Sequence, residues 1–101
     1  MKEMMKGLVY DWSEFSLANA SVDVDVKSTV AALFNNVPHA VGMVIFFNKE
    51  IGLRWNSTVM PKVTLGISRS PFQSPANFIE IKNIFLSNVS GDSADVEIYL
   101  W

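Results

Sequence analysis

Cysteine is absent from the 101 residues, which removes disulfides, thiolate nucleophiles and cysteine-ligated zinc or iron–sulfur centres. Stability must then come from packing. Histidine occurs once, as His39 between Pro38 and Ala40. One imidazole cannot build a histidine-rich metal site, and with no Gly-x-Ser-x-Gly elbow it argues against a hydrolase triad. The five glycines are scattered singly, so there is no glycine-rich phosphate loop. Ten acidic and eight basic side chains are spread along the chain for a net charge of −2. That balance leaves no basic stripe to neutralise phosphates, and nucleic acid is not an expected partner. Apolar runs are broken at His39, Asn48 and Arg54, short of the ~20 residues that cross a bilayer, so no membrane partner is expected. Met1 to Lys6 leads into Gly7-Leu8-Val9-Tyr10-Asp11 rather than an apolar stretch, and no signal peptide is expected.

What is present is apolar. Half the residues are hydrophobic and 18% are charged, an apolar share at the top of the ordinary range and a charged share below it. The length suits one domain over residues 1–101. Small domains have a high surface-to-volume ratio, so this composition implies either a well-filled β core or an apolar surface for a partner. Met1 to Lys6, with lysines and three methionines, fits a flexible or exchanged N-terminal arm. The triplets at Asn19, Asn56 and Asn88 read as turn residues rather than glycan acceptors.

Period-two patterning dominates the chain. Val22, Val24 and Val26 alternate with Asp23 and Asp25, which predicts a strand with buried valines and solvated carboxylates. Ser28 before Thr29-Val30-Ala31-Ala32-Leu33-Phe34 predicts one short helix near residues 28–35. Met43 to Asn48 is apolar on both faces and reads as a central strand. Ile51, Leu53 and Trp55, then Val63, Leu65 and Ile67, predict neighbouring antiparallel strands. Ser68 to Asn77 holds two prolines and reads as a surface loop with Phe72 tucked under it. Ile79 and Ile81 differ in parity from Ile84 and Leu86, so a bulge or change of sheet is expected near Asn83. The last strands flank Ser90-Gly91-Asp92-Ser93, with Val96, Ile98 and Leu100 inward. With a first strand at Leu8 to Leu17, the expected fold is an all-β antiparallel sandwich or jelly roll of seven to eight strands.

Chemical groups are sparse. Asp23 with Asp25, and Asp92 with Asp95, could form a calcium site only if strand ends met, and no loop has the six to eight oxygens calcium needs. Asp11, Glu14, Glu80 and Glu97 supply carboxylates, but the sequence sets no two across a cleft as glycoside hydrolysis requires. No catalytic residue, metal or cofactor is assigned. The anomaly is aromatic: Tyr99 and Trp101 fall on the outer side of the final strand, and Trp12 lies between Asp11 and Ser13. Outward aromatics anchor protein interfaces or stack on sugar rings, unless another part of the chain covers them. Trp101 and Tyr99 are the first candidates for interface contacts, with Trp12 and Phe72 behind them.

The stretch Leu53-Arg54-Trp55-Asn56-Ser57-Thr58, the loop Ser70-Pro71-Phe72 and the run from Ile81 to Ile98 resemble small β-sandwich structural proteins of tailed-bacteriophage virions. The likeness spans roughly Val22 to the last residue and lies in strand and turn chemistry, so no site residue is carried over. It implies a non-enzymatic capsid decoration, head-fibre or tail-associated protein. Homo-oligomers and other virion proteins would be its partners, and its location would be the virion, or the cytoplasm for a chain not encoded by a phage. The alternative is a carbohydrate-binding module that stacks Trp12, Trp55 or Trp101 on a pyranose ring of a glycan.

Overall fold

A computed structural model describes residues 11–30, 32–74 and 80–101. The strands are β1 (Asp11–Leu17), β2 (Ala20–Asp25), β3 (Met43–Phe47), β4 (Ile51–Trp55), β5 (Val63–Leu65), β6 (Phe72–Gln73), β7 (Ile84–Asn88) and β8 (Ala94–Leu100). They form two four-stranded antiparallel sheets, ordered β1-β8-β3-β6 and β2-β7-β4-β5. The pairs β1/β8, β2/β7, β3/β6 and β4/β5 are those of one long ribbon folded back at the β4–β5 hairpin. Rolling that ribbon brings β8 beside β3 and β7 beside β4, which makes the sandwich a jelly roll. The expected strand residues Leu8 to Tyr10, the arm Met1 to Lys6, and Ile79 lie outside the described residues.

Alternation sets which residues fill the space between the sheets. On β8, Ala94, Val96, Ile98 and Leu100 are buried, and they face Met43, Ile45 and Phe47 of β3 through the pairs Met43↔Leu100, Ile45↔Ile98 and Phe47↔Val96. Ile51 and Leu53 of β4 and Ile84 and Leu86 of β7 close the same core from the second sheet. β3 is buried along nearly all its length, as its two-faced apolar sequence predicts. β4 and β5 pair as expected, Ile51 with Leu65 and Leu53 with Val63.

Five expectations need correction. In β2 the register shifts between Ala20 and Val24, so Val22 points outward and is 74% exposed. Asp23, expected in water, keeps only 14% of its side chain exposed: one oxygen bonds Arg54 Nη1, and Lys62 Nζ lies 4.0 Å from the other. The helix, α1 (Val26–Thr29), starts earlier than Ser28 because Asp25 takes the cap, accepting from the Ser28 backbone N–H at 3.2 Å. As the last residue of β2, Asp25 ends the strand and starts the helix at once. The segment read wholly as loop contains a 3-10 turn, Ile67–Arg69, and the two-residue edge strand β6 after a cis Ser70–Pro71 bond. The predicted inward side of Ile67 is lost in that turn, where it is exposed. The Ser90–Ser93 turn, found where the sequence puts a turn, joins β7 to β8 across the two sheets, and these strands do not pair with each other.

Two asparagines fasten the corners. Near Asn83 the chain does change partners: Ile81 bridges Ala40, and Ile84 begins β7 in the second sheet. Asn83 donates from Nδ2 to Asp25 Oδ1 at 2.8 Å and accepts from the Lys27 and Ile84 backbone N–H groups at 3.0 and 2.8 Å. Asn56, at φ 66°, joins the same corner by accepting from Lys82 N at 2.6 Å and donating to Glu80 O at 2.8 Å. Asparagine suits that left-handed position better than most residues. At the opposite turn, buried Asn88 donates to Leu17 O at 3.0 Å and Asp92 O at 2.7 Å and accepts from Ser90 N and Oγ. It therefore ties the end of β1 to the turn that leads into β8, and its triplet is a turn device as predicted.

Replacing Asn88 with Ala strips partners from buried carbonyls, each worth about 1–3 kcal/mol. Denaturant unfolding should show a loss of about 3 kcal/mol, against less than about 1 kcal/mol for Asn35→Ala at an exposed position. The Asn83 hydrogen bond, followed by those from Ser28 and Lys27, holds the Asp25 carboxyl below its ordinary value despite partial burial. A depressed folded pKa stabilises the fold above the unfolded-state value, and that contribution disappears as pH falls through the folded value. The stability gap between wild type and Asn83→Ala should therefore be largest above about pH 5 and shrink in acid. Unfolding curves across pH would refute the linkage if the gap were constant.

Candidate functional site in the outer-face aromatics

On β8, the residues between the core positions point away from the second sheet. Tyr99 is opposite Trp12 on β1 and Val44 on β3, and Glu97 is opposite Glu14 and Phe46. Side chains directly across an antiparallel pair lie on one face, so Trp12, Tyr99 and Phe46 form one outer-face cluster. Trp12 stacks on Tyr99 with centroids 6.1 Å apart and planes 14° from parallel. Phe46 meets Tyr99 edge-on at 5.8 Å. The Tyr99 hydroxyl donates to Glu97 Oε2 at 2.7 Å, which fixes the ring along β8.

The predicted contact residues separate on this scaffold. Tyr99 is on the outer face, as its parity requires, but it is fully enclosed within the chain at 0% exposure. Contact through Tyr99 would have to pass through its neighbours. Trp12, ranked behind it from sequence, lies on the outer face with 39% exposure. Phe72 pairs with Ile45 and packs against the core from β6. It faces inward because β6 is a strand, so it is not an outward aromatic. Trp55, partly buried, likewise packs against the core, opposite Ile84.

Trp101 continues the outer face beyond Tyr99, about 7 Å along the strand. Its backbone is clamped to the start of β3: Val41 N donates to Trp101 O at 2.7 Å, and Trp101 N donates to Gly42 O at 3.2 Å. The indole occupies the place a side chain at Gly42 would take, since a Cβ there would fall 2.2 Å from the ring. Trp101 lines an open depression of about 380 Å³ with Asn36, Val37, Pro38, His39 and Val41. The loop that forms its wall is held from β1. Buried Asp11 accepts from Asn36 N at 2.9 Å, Val37 N at 2.8 Å and Asn36 Nδ2 at 2.9 Å. Phe34, buried at φ 63°, adopts a left-handed backbone unusual for an aromatic. His39 Nδ1 lies 3.8 Å from Glu80 at the rim.

The carboxylates take distinct places. Asp11 is consumed by the loop, Glu80 faces His39 and Lys82, and Asp92 faces Lys49. Glu14 and Glu97 are brought opposite each other beside a groove of about 360 Å³ that Asp95 also lines. Asp95 accepts from Asn48 Nδ2 at 3.2 Å. Among the described residues no group of three histidine, aspartate or glutamate side chains is arranged to hold a metal ion, and no helix is long and apolar enough to cross a membrane. Sequence reasoning missed Asp11, Asn36 and Gly42 as builders of the Trp101 depression. The available signal was Gly42, a glycine at a strand entrance in a chain with few glycines.

Gly42→Ala should displace the indole and cost about 1–3 kcal/mol, the usual penalty of overpacking. Trp101 emission should shift to longer wavelength; an unchanged spectrum and unchanged unfolding midpoint would show that the two do not compete for this space. No family model, curated protein or solved structure matches the chain.

Proposed function

We propose that the protein is a non-enzymatic structural domain that self-associates and forms or decorates a larger assembly, of the kind found in tailed-phage virions. Jelly rolls recur in capsid proteins and in lectins, and one fold serves many functions, so the reading rests on the surface. The observation that carries it is Trp12: a tryptophan 39% exposed, braced by stacking on Tyr99, on the edge strand of the first sheet. A pre-ordered aromatic loses little side-chain freedom on docking, which is why such residues dominate interface energetics.

The edges of the sandwich support the same surface. β5 and β6 are edge strands of three and two residues, and β2 is interrupted by its register shift. Short or bulged edges resist strand addition. β1 keeps a regular register over all seven residues, so it is the edge best suited to meet a second copy or another assembly protein. Trp12 is central to that contact, while Tyr99 supports it from beneath and Trp101 extends the face.

Light scattering behind size exclusion, across concentration and salt, should give a discrete oligomer for the wild type. Trp12→Ala should weaken association about thirtyfold, the equivalent of about 2 kcal/mol for an interface anchor, with circular dichroism reporting a retained β fold. A wild-type monomer at every concentration, or a folded Trp12→Ala variant with unchanged mass distribution, would overturn self-association through this face.

A further inference from the structure

We propose that the depression beside Trp101 is a binding site for one neutral pyranose ring of a glycan. The site is built rather than incidental. Its wall is fixed by three hydrogen bonds to a buried carboxylate, Asp11, its far end by the Ala40–Ile81 bridge, and its aromatic side by the backbone clamp on Trp101. Gly42 leaves room for the indole against the strand. Such pre-ordering reduces the entropic cost of taking up a small ligand.

The lining selects the ligand. Trp101, Val37, Pro38 and Val41 give an apolar surface with an aromatic ring, while Asn36 and His39 put polar groups beside it. A pyranose has the matching character, with an apolar C–H face and a hydroxyl rim. Asn36 donates its amide to Asp11, which turns its carbonyl oxygen into the acceptor available for a sugar hydroxyl. No lysine or arginine lines the depression, so a phosphorylated or carboxylated ligand would find no fixed cation. At about 380 Å³ the space is at the small end for ligand sites, which suits one ring and leaves the rest of a glycan in solvent.

The full ¹⁵N-labelled chain would be titrated with methyl glycosides of the common neutral hexopyranoses and N-acetylhexosamines, following the three indole N–H signals. The Trp101 signal, identified in Trp101→Phe, should shift saturably with at least one sugar. Trp101→Ala should bind on the order of tenfold more weakly, the loss expected for a stacked aromatic, and His39→Ala, at an exposed rim position, should also weaken binding. Val59→Ser, at a remote exposed position, should leave the affinity unchanged. No shift with any sugar would overturn the site, as would undiminished binding in His39→Ala and folded Trp101→Ala. A Trp101 signal that follows protein concentration and ignores sugar would also overturn it and assign the depression to a protein contact. Sugar binding and oligomer mass are read separately, so either proposal can fail alone.

Discussion

The double pairing of β8 is the constraint on which the rest depends. It is hydrogen-bonded to β1 from Asp11↔Leu100 to Leu17↔Ala94 and to β3 from Met43↔Leu100 to Phe47↔Val96. With both neighbours in register, the period of two leaves β8 no freedom over which side chain faces which way. One face closes the core with Ala94, Val96, Ile98 and Leu100. The other is obliged to carry Asp95, Glu97, Tyr99 and then Trp101. A one-residue slip would put Tyr99 into the core and four buried apolar residues outside, a change no local adjustment could offset. Core and aromatic face are thus two consequences of one register.

Cross-sheet fastening then turns two sheets into one body without disulfides. Among the described residues, only the β4–β5 connection between consecutive strands stays within a sheet; the others carry the chain from one layer to the other. Polar backbone at such crossings must be satisfied as it leaves the ladders. Asn88 does this where β7 passes to β8, and Asn83 with Asn56 and Asp25 does it where the chain enters β7. Asparagine serves both places because one side chain both donates and accepts.

This explains how much the sequence discloses. Strand β3 is legible as a short run apolar on both faces, β4 and β8 because their apolar residues keep one period along the whole element, and parity alone places Tyr99 and Trp101 on the outer face. Val22 is misread because a bulge changes parity without changing composition. The Ser90–Ser93 turn is recognisable as a turn, but turn chemistry does not say whether its flanking strands pair or cross between layers. Exposure is less legible still: Tyr99 and Trp101 share a face, yet Tyr99 is enclosed. Phe72 packs inward beneath its loop, as expected, but the strand it belongs to is not legible, since two residues of edge strand are too few to show a period. The Trp101 depression draws on Asp11, Asn36 and Gly42, which are far apart in sequence and ordinary by type.

The distribution of rigidity argues for where recognition belongs. Three of the four sheet edges are short or bulged, and the outer face of the second sheet is occupied at Asp23 by Arg54 and Lys62, with the Lys62 stem crowding Gly52. Charged side chains locked against each other offer a partner little, because docking would trade one set of ionic contacts for another and add a desolvation cost. The first sheet differs: its outer face carries stacked rings that are already ordered, and its β1 edge is regular. Exposed apolar area that is also rigid is the combination that favours binding, since burial is gained without a large loss of side-chain entropy. The same register that gives β8 its core face therefore sets the ordered rings of Tyr99 and Trp101 on the opposite side of the same strand.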